Sequence, residues 1–243
     1  MNIKLAWRLA RVVLHLLRGL ATCAFVFPWT GPALRERLVR RWSARLLDIC
    51  RVRVERRDGA PALGHALIVS NHVSWLDIFV INAQLPCRFV AKAEIRAWPV
   101  VGWLVAQAGT VFIARGNRRE LRHIFKGLVD ALGQRQRVAF FPEGTTAAQG
   151  ALLPFHANLF EAAIDADVPV QPYALAYVDA RGGWHPAVDY TGDTTFVQSI
   201  LRILGGEPVT ARLASLAPIP AGHGAHRREL AQAAQEAIRA ALE

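Results

Sequence analysis

Between residues 66 and 177, short apolar runs alternate with helix-patterned stretches, and that alternation restricts the fold more than any other feature of the chain. Residues 66–70, 88–91, 110–113, 138–141 and 170–177 read as strands, and 75–84, 99–108, 117–133 and 157–166 read as the helices between them. The strand runs are apolar throughout rather than alternating, as expected of strands covered on both faces. A further helix over 194–204, a strand over 208–213 and a closing amphipathic helix over 226–242 continue the pattern. The expected architecture is an α/β sandwich with a central, mostly buried mixed sheet flanked by helices.

The N-terminal quarter is different. Residues 1–57 hold 13 Lys/Arg against 3 Asp/Glu, while 58–243 hold 16 of each, so the whole formal charge of +10 belongs to the first segment. Residues 4–27 are helix-patterned, and at 100° per residue Lys4, Arg8, Arg11, His15 and Arg18 fall within an arc of roughly 80°. The other faces carry Leu5, Leu9, Val12, Val13, Leu16, Leu17, Leu20 and Phe25. The run Pro28-Trp29-Thr30-Gly31-Pro32 breaks the helix, and a second helix is expected from 33 to about 48 with Arg35, Arg37, Arg40, Arg41 and Arg45 as a basic side. A basic, strongly apolar helix pair suits an anionic membrane surface. The division expected is therefore 1–57 as a membrane-associating helical hairpin and 58–243 as an α/β domain. Its first helix lies in the interface, with a short spanning segment starting near Val12 as the alternative, and an ordinary amphipathic core helix as the bland reading. Nucleic-acid binding fits poorly, because the arginines are interleaved with apolar surface and few stacking aromatics.

Composition adds two exclusions. Hydrophobic residues at 53% and charged residues at 20% exclude a disordered chain. Cys23, Cys50 and Cys87 are scattered, odd in number and without metal-ligand spacing, and read as reduced thiols facing a cytosol. No secretory cleavage signature is evident. No metal is expected, since no His-Glu-x-x-His or related spacing occurs, and no glycine-rich nucleotide loop is present.

Two short blocks carry chemistry. The first is Asn71-His72-Val73-Ser74-Trp75-Leu76-Asp77, entered from an apolar strand. Asp77 can hold one imidazole nitrogen of His72 as N–H and leave the other to accept a hydroxyl proton. The bland reading is that Ser74 caps a helix and Asp77 is the acidic residue of its first turn. A serine-hydrolase triad is unsuited, because Ser74, His72 and Asp77 are too close in sequence and no Gly-x-Ser-x-Gly elbow occurs. The second block, Phe141-Pro142-Glu143-Gly144-Thr145, reads as a tight turn that offers a free acidic group beside a glycine that admits a ligand to the backbone. Arg115, directly after a strand, is a candidate phosphate fork, and Lys92, after another, a second cation.

Together these blocks resemble the glycerolipid acyltransferases, in particular the bacterial 1-acylglycerol-3-phosphate acyltransferase family. The resemblance covers roughly 66–177: Asn71–Asp77 matches the first block, Gly109-Thr110-Val111-Phe112-Ile113-Ala114-Arg115 a second, Phe141–Thr145 a third, and Val168-Pro169-Val170-Gln171-Pro172 a fourth. Phe89-Val90-Ala91-Lys92 and Trp98-Pro99-Val100-Val101-Gly102-Trp103 resemble the family's linking segment. Departures occur at Ala114, at Thr146-Ala147-Ala148-Gln149-Gly150 and at His156, and they bear on the acceptor headgroup.

The resemblance implies a glycerol-3-phosphate acyltransferase-like fold and transfer of a fatty acyl group from a thioester to the free hydroxyl of a lysophospholipid. Lysophosphatidic acid is the first expectation for the acceptor and lyso-ornithine lipid the second. His72 would be the base and Asp77 its orienting partner; Lys92 and Arg115 would hold the acceptor phosphate, and Glu143, Gly144 and Thr145 would shape its site. No cofactor is implied, the co-substrate being acyl-CoA or acyl carrier protein. The expected place is the cytoplasmic face of the bacterial inner membrane, monotopic or peripheral. A non-catalytic membrane lipid-binding protein on the same fold is the competing class.

Overall fold

The computed structural model describes residues 3–57, 59–97, 101–113 and 118–243. Two long helices come first, α1 (Ile3–Ala21) and α2 (Pro32–Ile49), joined by a π-turn at Thr22–Val26 and a 3₁₀ turn at Phe27–Trp29. The strands follow as β1 (Val52–Arg56), β2 (Leu67–Ser70), β3 (Arg88–Lys92), β4 (Val111–Ile113), β5 (Val138–Phe140), β6 (Val170–Val178) and β7 (Val209–Ser215). The helices interleaved with them are α3 (Asp77–Gln84), α4 (Val101–Gln107), α5 (Arg118–Gly133), α6 (Glu161–Asp165), α7 (Phe196–Gly205) and α8 (Arg227–Leu242).

Among the described residues seven strands form one sheet in the order β1-β7-β6-β2-β5-β3-β4. The block β6-β2-β5-β3-β4 is parallel, β7 runs antiparallel to β6, and β1 runs parallel to β7. The sheet is thus mixed, as expected. Each β2 residue is buried, because alternate side chains enter different cores. Ile68 packs with Leu46 and Leu47 of α2, Val80 and Ile81 of α3, and Ile203 of α7. Leu67 and Val69 pack on the other face with Leu128 and Leu132 of α5, Ala162 of α6 and Leu230 of α8.

Strand β1 was not anticipated. Val52-Arg53-Val54-Glu55-Arg56 reads as part of a basic segment, yet it pairs with Val209–Leu213 and buries Val52 in the core. The sheet therefore begins ahead of the boundary that charge alone places after Arg57. Charged side chains on an edge strand are what keeps such an edge from pairing with another chain, so β1's composition fits its position.

The hairpin exists with the basic side of α2 exposed, but the middle of the α1 stripe points the other way from the expectation. Arg8 Nη1 donates to the Leu204 carbonyl at 2.6 Å, Arg11 lies 3.9 Å from the Asp48 carboxylate, and His15 is buried, stacked on Trp42 at 4.6 Å between ring centroids. Arg8, Arg11 and His15 of the stripe fasten α1 to α2 and α7, whereas Lys4 and Arg18 are exposed. Large apolar residues also face outward: Trp7, Leu14, Leu17 and Phe25 are exposed, and Trp29 at the turn is 89% exposed. The segment Ile3–Trp29 is long and apolar enough to cross a bilayer.

Candidate active site

In an open sheet of parallel strands, ligands bind where the strands end at their carboxyl side. Both chemical blocks lie there, one after β2 and the other after β5, on neighbouring strands. Asn71 makes the turn out of β2 by continuing its pairing with β6 through the side chain: Nδ2 donates to the Leu175 carbonyl at 2.8 Å, and Oδ1 accepts from Leu175 N at 2.9 Å. The next residue, His72, is thereby set at the rim of the sheet.

His72 Nδ1 lies 2.7 Å from Asp77 Oδ2. Asp77 is fully buried, and its carboxylate is held by a complete set of donors. Oδ2 also accepts from Val73 N at 2.7 Å and Ser74 N at 3.0 Å, and Oδ1 accepts from the Tyr177 hydroxyl at 2.7 Å. A buried carboxylate is tolerable only when hydrogen-bonded in this way. An ionised carboxylate only accepts, so the proton between it and the ring sits on Nδ1, and Nε2 of His72 is left as the acceptor. The imidazole stacks on Phe141 at 3.9 Å between centroids and 8° between planes, which fixes its tilt. Its side chain keeps 18% exposure. With Nδ1 turned into the fold, Nε2 is the nitrogen available to a substrate.

The bland reading, a helix cap led by Ser74, is not what forms: no side chain caps α3. The carboxylate in the first turn of α3 collects the N–H groups of Val73 and Ser74, whereas the Ser74 hydroxyl is buried and without a partner among the described residues. Full burial equally leaves Ser74 no route to act as a nucleophile. Nor do Cys50 and Cys87 offer one, since burial pushes both thiols up to about 12.

Glu143 corrects an expectation. It is not a free acid: it is 4% exposed, with Oε1 accepting from His72 N and Oε2 from Leu153 N, both at 2.8 Å. Burial raises its pKa, while those two N–H groups oppose the rise. Its place is behind the histidine, tying the backbone of His72 to the loop that follows β5. Gly144 adopts φ +68°, the left-handed conformation glycine tolerates, and its N–H closes the turn on the Phe141 carbonyl at 3.1 Å. Thr145 is exposed at this turn, and the next residue, Thr146, donates its hydroxyl to the Tyr190 carbonyl. The His72 carbonyl accepts from Ala147 N at 2.8 Å, so the two blocks are laced together on both sides of the histidine.

Arg115 falls outside the described residues, and of Lys92 only the backbone position at the end of β3 is described. At about 4.8 Å per strand, β3 stands roughly 10 Å from β2. In the linking segment, Trp98, Pro99 and Val100 also lie outside the described residues, and Trp103 on α4 is 42% exposed.

Two contributors escaped the sequence reading. Tyr177 reads as one more buried strand residue, and its hydrogen bond to Asp77 crosses 100 positions. Burial, reinforced by the Asp77 charge, holds its phenol well above the ordinary pKa, so it stays a donor. Gln149 accepts from Tyr177 N at 2.7 Å and donates to the His185 carbonyl at 3.0 Å, pinning the loop after the second block to β6. Neither partner is near in sequence, and no local signal marks these roles.

With this geometry in place, comparison with known proteins is decisive. The family described as Acyltransferase matches residues 51–176, from β1 into β6. The chain belongs to the acyltransferase family. Its relatives include a lyso-ornithine lipid O-acyltransferase of Pseudomonas aeruginosa, 41% identical over 86% of this chain and 80% of the relative. A 1-acyl-sn-glycerol-3-phosphate acyltransferase of Neisseria meningitidis is 39% identical over 76% of this chain and 73% of the relative. The crystal structure of the 1-acyl-sn-glycerophosphate acyltransferase PlsC from Thermotoga maritima superposes with a TM-score of 0.66 at 19% identity. It covers 97% of this chain and 96% of its own, so this acyltransferase shares the PlsC fold from end to end.

Proposed function

We propose that this acyltransferase moves a fatty acyl group from a thioester, carried by coenzyme A or acyl carrier protein, to the free hydroxyl of a lysophospholipid, with lysophosphatidic acid as acceptor and phosphatidic acid as product. The observation that carries this is the His72 ring, oriented at 2.7 Å by the buried Asp77 and still open at the rim of the sheet. An alcohol is too weak an acid to attack a thioester unaided. His72 Nε2 takes the hydroxyl proton as the oxygen attacks the carbonyl, the tetrahedral intermediate collapses with loss of the thiolate, and the imidazolium returns the proton to that sulfur. General-base catalysis of this kind supplies typically about 10²–10⁴-fold. Holding hydroxyl and thioester together supplies the rest by proximity, with no covalent enzyme intermediate.

Lys92 and Arg115 are the proposed phosphate ligands. Their long side chains suit a headgroup lying between their strands and His72, β3 being two strand spacings from β2 and β4 three. Glu143, Gly144 and Thr145 shape the acceptor site indirectly, through the loop that Glu143 ties to His72. The hairpin of α1 and α2 holds the enzyme at the cytoplasmic face of the membrane, its apolar outer face in the bilayer. The acceptor then never has to leave the lipid.

A second acceptor, lyso-ornithine lipid, is favoured by the name of the 41% identical relative. The two are separated by thiol release from an acyl thioester with each acceptor in turn. Faster release with lysophosphatidate is the expected result. Release only with lyso-ornithine lipid would transfer the assignment to that acceptor, and release with neither would overturn it.

A further inference from the structure

At the opposite end of the sheet from His72, a cavity of about 190 Å³ opens between the first turn of α2 and the amino ends of β3 and β5. Its location follows from the topology: Arg88 opens β3 and Arg137 immediately precedes β5, whereas His72 follows the carboxyl end of the parallel strand β2. It is therefore a site apart from the acceptor crevice. Four charged side chains line it, Arg35, Glu36, Arg88 and Arg137.

The acid is already matched. Arg137 is held by the carbonyls of Pro86 at 2.8 Å and Gly64 at 3.2 Å and bridges to Glu36 at 2.9 Å, fastening the hairpin to the body. That leaves Arg35 and Arg88 as excess positive charge. Arg35 uses one nitrogen on the Phe27 carbonyl. Arg88 is exposed, runs along the backbone of Gly109, and makes no side-chain hydrogen bond or ion pair among the described residues. Pro32 at the same cavity presents the positive end of the 18-residue α2. Arg88, together with the Arg35 nitrogens that the Phe27 carbonyl does not engage, lines one cavity with a helix amino end, which makes a phosphate-binding arrangement. Apolar surface adjoins it: Phe27 lines the cavity, and Trp29 and Leu34 are exposed on the same turn.

We propose that this cavity seats the phosphate headgroup of an anionic membrane phospholipid, with its acyl chains lying against the apolar turn of the hairpin. The lipid would join hairpin to body beside the Arg137–Glu36 bridge and make the hairpin selective for anionic membrane. The inference rests on the membrane placement of α1 and α2, but its test does not need vesicles.

Full-length protein in a neutral detergent is titrated with a short-chain phosphatidylglycerol, with tryptophan fluorescence as readout. Phosphatidylcholine of the same chain length and inorganic phosphate serve as comparisons. Saturable binding of phosphatidylglycerol is expected, weakened about tenfold by Arg88→Gln, which removes no hydrogen bond or ion pair among the described residues. Arg41→Gln, an equal charge loss at an exposed position of α2, should leave the affinity unchanged. Equal weakening by both variants, or equal affinity for phosphatidylcholine, overturns the proposal. Tight binding of inorganic phosphate alone would make it a free-phosphate site and overturn the lipid assignment. Loss of vesicle binding with this titration intact would instead count against the membrane role of the hairpin.

Discussion

Tyr177 and Glu143 hold the proposed base His72 from behind, one through the Asp77 carboxylate and the other through the His72 backbone. Tyr177 shares the Asp77 carboxylate with His72 from the opposite oxygen. Hydrogen bonds to charged groups are worth about 1.5–3 kcal/mol. Tyr177→Phe should therefore lower kcat roughly tenfold or somewhat more with KM nearly unchanged, in steady-state kinetics. Glu143→Gln places an amide N–H against a backbone N–H and should destabilise by about 1–3 kcal/mol. The sign with pH is fixed by burial, which sets the folded pKa of Glu143 above 4.5. The folded state then binds the proton more tightly, so this group's contribution is largest below 4.5 and is lost as pH rises through the raised value. The gap in Tm between wild type and Glu143→Gln should narrow as pH rises across that window. His72 and Asp77 were legible because their partnership is local, five positions within one turn. Tyr177 was not, because its partner is supplied by a strand 100 positions away. Glu143 was legible as important and misread as free, since nothing in Phe-Pro-Glu-Gly-Thr says that two backbone N–H groups will claim it.

The helices of the hairpin were legible as elements from their periodicity, but their orientation was not. Arginines on one stripe read equally well as headgroup ligands or as fasteners, and the choice is made by carbonyls and carboxylates of α7 and α2 that no local pattern announces. The consequence is a solvent-side face of Trp7, Leu14, Leu17 and Phe25. Fully burying one such side chain is worth about 1.5–3 kcal/mol. Replacing Trp7, Leu14 and Leu17 together by serine should weaken vesicle flotation roughly 10²-fold and leave the circular dichroism unchanged. The seam between α1 and α2 admits no such freedom. A Cβ at Gly19 would meet Trp42 Nε1 at 2.7 Å, and the indole is held by its stack on His15 and its hydrogen bond to the His15 carbonyl. Gly19→Val should accordingly lower the Tm by several degrees in a thermal melt, with the active-site block untouched.

At the scale of the whole molecule, two blocks 64 or more positions apart in sequence become one site because β2 and β5 are neighbours and end on the same side. Alternating apolar runs were enough to foresee a covered sheet. Strand order, and the reversal that brings β7 and β1 onto the edge, rest on contacts between distant segments. Strand β1 was hidden by its charge, and it is the piece that joins the hairpin to the catalytic layer. In the proposed mechanism the His72 ring is the proton acceptor of an acyl transfer that the remaining architecture only positions. It is tested most directly by thiol release from an acyl thioester with lysophosphatidate, comparing the full-length enzyme with His72→Ala. Release by the variant should fall to background, by about 10²–10⁴-fold, while its binding to anionic vesicles is retained. Turnover by the variant equal to that of the wild type would contradict the account.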